Sequence, residues 1–189
     1  MLSYRHAFHA GNHADVFKHV VLVQLTRYLG QKDKAFWYID THAGAGSYAL
    51  DSAQAGKLAE YRDGIGRLWG RADLPPALAD YVNLVRGANA DGRLHVYPGS
   101  PRLALSTMRA QDRLRLYERH SREVLRLRAN FRDSGKRVIV EEADGFAALW
   151  ALLPPPPRRA LVLIDPAYEE KVDYDRVVHS LRECLSRFP

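Results

Sequence analysis

Four acidic residues share one setting in this sequence. Asp40 closes the run Phe36-Trp37-Tyr38-Ile39 and leads into a turn holding Gly44 and Gly46. Glu118 closes the run from Leu114, Asp144 lies just past Arg137 to Glu141, and Asp165 follows Ala160 to Ile164. The runs have the composition of strands, and helix-spaced segments separate them. Ligands of alternating strand–helix folds sit beyond the carboxyl ends of the strands, where these acids would stand. A single acid there would carry little meaning. Four of them make a row of hydrogen-bond acceptors for a guest that brings donors.

The glycine turn narrows the guest. Its pattern, Asp-x-x-x-Gly-x-Gly, lets backbone approach a nucleoside closely, but it is not the Gly-x-Gly-x-x-Gly that receives a dinucleotide diphosphate. Carboxylates suit hydroxyl and ammonium donors, and S-adenosylmethionine offers both, in its ribose and its amino-acid tail. On that reading Glu118 accepts from the ribose hydroxyls, a plain surface acid being the alternative. Asp144 accepts from the adenine amine or caps the following helix. Asp40 orients the turn or holds the ammonium through water. His42, inside the turn, contacts the cofactor. The turn can also be a plain strand-to-helix connection.

The most specific stretch is Asp165-Pro166-Ala167-Tyr168. Asp165 and the Pro166 carbonyl can accept the two hydrogens of an adenine amine while Tyr168 stacks on the ring. Such acceptors draw the nitrogen lone pair out of conjugation and aim it at an electrophilic methyl group. The proton can leave after attack, so no strong general base is required. The alternative is a strand-end turn with a buried tyrosine. Pro98-Gly99-Ser100-Pro101 adds backbone groups and a hydroxyl. Tyr4, Arg5 and His6 read as substrate contacts, and Lys18 and His19 can reach the rim. No metal is expected: His9 and His13 would share a face only on a helix, and Gly11-Asn12 argues against one there.

These groups need a frame. Residues 1–13 read as an ordered loop, followed by a helix over about 14–29 with Val16, Phe17, Val20, Val21, Leu25 and Leu29 inward. The first strand is 36–40. Residues 53–92 read as a small helical insertion, with Leu58, Tyr61, Ile65, Leu68 and Trp69 helix-spaced and a break at Leu74-Pro75-Pro76. An extended piece at Leu94 to Tyr97 precedes a short helix over 102–110. Strands over 114–118, 137–141 and 160–164 alternate with helices over 121–131, 145–152 and, capped by Asp173, a last one with Tyr174, Val177, Val178, Leu181 and Leu185 on one face. The alternation predicts a parallel, doubly wound α/β sheet.

At 189 residues, one domain of ordinary size is expected. The net charge of +6 favours a polyanionic partner or simply a basic surface. The single Cys184 excludes an internal disulfide and fits a reducing cytoplasm. No apolar run reaches membrane-spanning length, and the N-terminus lacks a signal-peptide core.

The opening LSYRHAFHAGNHADVFKH, then DTHAGAG, PGSP and IDPAY, in this order, closely resemble the bacterial 23S ribosomal RNA adenine-N6 methyltransferases. The resemblance runs over the whole chain. It implies a Rossmann-like class I S-adenosylmethionine-dependent methyltransferase with a helical insertion at 53–92, acting on one adenine of 23S ribosomal RNA. A monomer in the cytoplasm is expected beside it. By motif position it puts cofactor contacts on His19, His42, Ser100, Glu118, Asp144 and Gly145, catalysis on Asp165 with Pro166 and Tyr168, and a substrate contact on Tyr4. Lys18 joins the cofactor set by adjacency alone. Two departures stand out. The family motif is Asp-Pro-Pro-Tyr, and here Ala167 holds the third place. The family also continues past this point with strands that complete the sheet, so a truncated chain is expected, with an unpaired apolar edge on the 160–164 strand, weak cofactor binding and weak activity or none. A DNA adenine-N6 methyltransferase and a non-catalytic RNA-binding remnant are the alternatives.

Overall fold

The computed structural model describes residues 5–188. In chain order its elements are α1 (His13–Gly30), β1 (Trp37–Asp40), β2 (Ser47–Ala49), α2 (Ala53–Leu58), α3 (Ile65–Trp69), α4 (Pro76–Gly87), β3 (Val96–Pro98), α5 (Ser100–Thr107), β4 (Arg113–Glu118), α6 (Ser121–Phe131), β5 (Val138–Glu142), α7 (Gly145–Leu152), β6 (Ala160–Leu163) and α8 (Val172–Arg187). Two compact units emerge. The sheet unit takes Lys32–Ala45 and the described residues from Arg109 on; the helical unit takes Arg5–Gln31 and Gly46–Met108.

The sheet unit is α/β, with strand order β5-β4-β1-β6 and every pairing parallel. Asp40 is level with Leu116 on one side and Leu163 on the other. Ile39, Tyr117, Leu149 and Leu153 form a buried cluster that Trp37, Val162, Cys184 and Phe188 pack against. β6 pairs with β1 alone among the described strands, so it forms one edge of the sheet. Ahead of β4, the fully buried Asp112 carboxylate accepts from the Phe36 amide at 3.1 Å, the Arg109 amide at 2.9 Å and the Arg109 guanidinium at 3.1 Å. It thereby locks the entry of β1 to the entry of β4.

Helix α8 corrects the sequence reading in two respects. Its N-cap position is Lys171, without a side-chain cap bond, and Asp173 lies in the first turn. The expected apolar face points outward: Tyr174, Val178, Leu181 and Leu185 are exposed, while Ser180 is buried and Arg176, Val177 and Cys184 are half-buried. The docked face carries an arginine and a serine, which hydropathy alone places in solvent.

In the helical unit β2 pairs antiparallel with β3, a ribbon that the parallel expectation omits. The helical stretch expected through 58–69 is broken at Ala59, whose φ of 52° is left-handed. Helix α1 buries Asp15, His19, Leu22, Val23 and Thr26. The expected inward face is largely out, with Phe17 75% exposed. Mutual satisfaction of polar groups explains the inversion. Asp15 accepts from the Gly11 amide at 2.9 Å and meets His6 at 2.8 Å and Lys18 at 2.9 Å. His19 Nδ1 lies 2.7 Å from the Tyr97 hydroxyl, which lies 2.9 Å from that of Tyr81.

Asp112→Ala leaves two backbone amides and a guanidinium without their acceptor. Its expected cost is about 2–3 kcal/mol of unfolding free energy, read as a lowered midpoint in urea with unchanged slope.

Candidate active site

The sheet brings its four exit acids to the carboxyl ends of adjacent parallel strands. Across the sheet the order is Asp144 after β5, Glu118 ending β4, Asp40 ending β1 and Asp165 after β6. Asp40 is fully buried; its carboxylate accepts from the Tyr38 hydroxyl at 2.6 Å and the His42 amide at 3.2 Å. It organises the turn. Glu118 is half-buried and bridges two segments, accepting from the Gly44 amide at 2.9 Å and the His120 amide at 2.8 Å. Gly44 needs the bridge's geometry and has a φ of 58°, which favours glycine.

Asp144 caps α7, with Oδ1 accepting from the amides of Phe146 at 3.0 Å and Ala147 at 3.4 Å. Its Oδ2 takes a 2.6 Å bond from Arg176, whose guanidinium also lies 4.4 Å from the centre of the Phe146 ring. Burial alone would raise the Asp144 carboxyl, but the bond and charge of Arg176 outweigh it and hold the group below the usual carboxylate value. Gly145 begins α7 hard against β1: a Cβ there would lie 2.0 Å from the Thr41 carbonyl oxygen.

His42 is half-buried, edge-on to Phe146 at 5.0 Å. Burial is the largest influence on it and pulls its pKa down to about 4, against the carboxylates of Asp165, Asp144 and Asp173. The ring is therefore neutral at pH 7. Thr41 Oγ1 donates to the Leu163 carbonyl at 3.1 Å and sits 2.8 Å from His42 Nδ1. With the hydroxyl proton committed, Nδ1 is the donor and Nε2 is left as an acceptor.

After β6, Asp165 is half-buried, Pro166 buried and Ala167 exposed. Tyr168 has a left-handed φ of 53°, is 38% exposed and packs against Tyr174 with ring centres 4.6 Å apart and planes tilted by 36°.

In the helical unit, His19 is buried and burial pulls its pKa to about 3; its Nε2 has no hydrogen-bond partner among the described residues. Lys18 is held by Asp15. Ser100 is buried at the start of α5, where the preceding Gly99 amide donates to the Gly46 carbonyl at 3.0 Å. Tyr4 lies outside the described residues. The sequence reading missed Thr41, Phe146, Arg176 and Tyr174 near the sheet's exit acids. Only the spacing of Arg176 from Asp173, one turn along α8, hinted at any of them.

The parallel α/β unit is consistent with a Rossmann-like methyltransferase fold. The family model described as "RsmJ: Ribosomal RNA large subunit methyltransferase D, RlmJ" matches residues 33–189. The chain is 51% identical over 188 residues to "Ribosomal RNA large subunit methyltransferase J" of Escherichia coli, and 50% identical over 189 residues to the protein of the same name from Haemophilus influenzae. Each match covers 100% of this chain and 67% of the relative. A crystal structure of a Legionella pneumophila protein superposes with a TM-score of 0.88 at 40% identity, over 95% of this chain and 66% of that one. The chain thus spans about two thirds of the length of these relatives. It belongs to this family of ribosomal RNA large subunit methyltransferases, which are enzymes. Methyltransferases of this kind generally use S-adenosylmethionine.

A His that stays neutral in the fold but protonates when unfolded links stability to pH. The contribution of His42 is fully present above about 6.5, is lost as pH falls from 6.5 towards 4, and is constant below that. An NMR titration should show no change in the His42 ring signals between pH 5.5 and 8, and urea stability of His42→Phe should fall less steeply than the parent's from pH 6.5 to 5.

Proposed function

We propose that this protein transfers a methyl group from S-adenosylmethionine to the N6 amine of one adenine in 23S ribosomal RNA, as a cytoplasmic monomer. What supports this reading is the row of strand-exit carboxylates in the sheet unit, in a chain of this family. The cofactor's donors match that row. Glu118 has lone-pair capacity beyond its two amide bonds for the ribose hydroxyls, and Asp144, kept ionised by Arg176, can accept from the adenine amine. The absent side chain at Gly145 keeps the first turn of α7 close to β1. His42 offers a neutral acceptor without a competing positive charge. The assignments of His19, Ser100 and Tyr4 rest on the sequence resemblance, as does residues 53–92 being an insertion, and that of Lys18 rests on its adjacency to His19 alone.

When bound, the cofactor supplies an electrophilic methyl group. The chain's own part is to hold the target amine. Asp165 and the Pro166 carbonyl accept its two hydrogens, which localises the nitrogen lone pair, and Tyr168 fixes the ring plane by stacking. Asp165 is the group placed to take the proton once the new carbon–nitrogen bond has formed. Ala167 leaves the unbound loop more freedom than the family's proline, at a cost on the order of 0.4–1 kcal/mol in ordering.

Methyl transfer from labelled cofactor should appear in naked 23S ribosomal RNA and not in duplex DNA; transfer to DNA alone, or to neither, contradicts the reading. Asp165→Ala should lower the rate by about 100-fold or more while leaving S-adenosylhomocysteine affinity within about twofold of the parent. Ala167→Pro should raise the rate about two- to fivefold, and an unchanged rate would mean that the loop's freedom is not limiting.

A further inference from the structure

The basic charge of the chain is concentrated in one place. From Arg119 to Arg137 stand seven Lys and Arg against two Asp and Glu, a net +5 in a chain of net +6. Helix α6 runs through this segment and buries Glu123, Val124, Leu127 and Phe131. Its outer side shows Arg122, Leu125, Arg126, Arg128 and Ala129, continued by Arg132 and Lys136, all exposed.

The acid near this stripe is limited, among the described residues, to Glu142, bonded to Ser121 at the start of α6 at 2.7 Å, and the two acids within the segment. Glu123 lies on the buried side and reaches Arg126 at 3.1 Å; Asp133 meets Arg132 at 3.4 Å. Arg122, Arg128 and Lys136 have no acidic partner among the described residues. Some arginines elsewhere are matched, as Arg109 is with Asp112, Arg176 with Asp144 and Arg67 with Asp63, but no other segment gathers as much net positive charge. Arg122–Arg126 and Arg128–Arg132 are like-charged neighbours four apart, an arrangement that disfavours the isolated helix and that a polyanion relieves. From Arg122 to Arg132 the stripe runs about 15 Å. Guanidinium groups grip phosphate oxygens in pairs. Leu125, 65% exposed among them, offers an apolar contact for a sugar.

We propose that the outer face of α6 is a docking surface for the phosphate backbone of RNA that flanks the methylated adenine. The proposal rests on the methyltransferase reading for its choice of polyanion. It needs no contact with the reacting base, so the surface sets RNA affinity and leaves the cofactor site alone.

The test compares three proteins for binding to naked 23S ribosomal RNA by fluorescence anisotropy over a range of KCl: the parent, Arg122→Gln/Arg128→Gln/Arg132→Gln, and a control with equal charge removed elsewhere, Arg62→Gln/Arg93→Gln/Arg182→Gln. Urea midpoints verify that all three are folded. The stripe variant should bind at least about tenfold more weakly near 0.1 M salt, and its slope of log affinity against log salt should be shallower by about two to three. The control should change affinity less than about twofold, and S-adenosylhomocysteine heats should match in all three. A stripe variant that binds like the parent, or loses no more than the control, overturns the proposal. So does a parent without salt-dependent RNA binding. Absence of methyl transfer alongside the stripe effect would count against the methyltransferase reading and leave the docking surface standing.

Discussion

The bridge made by Glu118 is the constraint on which the site depends. One carboxylate closes β4 and holds the Gly44 amide of the turn after β1 and the His120 amide at the start of α6. The turn after β1 and the β4–α6 junction, distant in sequence, are thus referred to one pair of oxygens. The neighbouring exits follow the same logic: Asp40 holds the His42 amide, and Asp144 holds the first turn of α7. An acceptor already fixed by backbone bonds loses little rotamer freedom when a guest arrives, which is what pre-organisation means for a binding group. Structural and binding roles are therefore compatible here. A carboxylate that caps a helix or pins a turn still carries unspent lone pairs towards the open end of the strands.

Arg176 extends this arrangement outward. It ties α8 to the cap of α7 through Asp144, covers Phe146, and stands 3.8 Å from Asp173. The sheet's exit region thereby combines an ionised acceptor, a neutral imidazole and an aromatic ring within one network. In the helical unit burial and charge are balanced differently. Burial alone would raise the Asp15 carboxyl, yet His6 and Lys18 beside it hold it well below the usual range, and His19 stays neutral because burial outweighs the pull of Asp15.

The sheet was legible because its strands carry two signals at once, apolar runs and a terminal acid. The segments 114–118, 121–131 and 160–164 lie within a residue of β4, α6 and β6. The faces of α1 and α8 were not legible. Asp15 is buried against the nearby Gly11 amide, and His19 and Thr26 because Tyr97 and Thr107, remote in sequence, receive them; Arg176 and Ser180 face inward because α7 offers Asp144 and a docking surface. Hydropathy assigns such residues to solvent, and nothing local contradicts it. The strand at Ser47–Ala49 was hidden by its three-residue length beside a glycine turn. The exit acids were visible as a set, and so were the helix cap at Asp144 and the turn at Asp40 as alternatives; the bond from Gly44 to Glu118 was not, since that amide belongs to another segment.

The central claim is that the carboxylates at the strand exits of the sheet unit receive the nucleoside of the cofactor. Backbone amide spectra recorded while S-adenosylhomocysteine is added test it most directly. The account predicts saturable shifts at Gly44, His120 and Gly145, with the amides of α4 unmoved. Saturable binding whose shifts leave those three amides in place would contradict it.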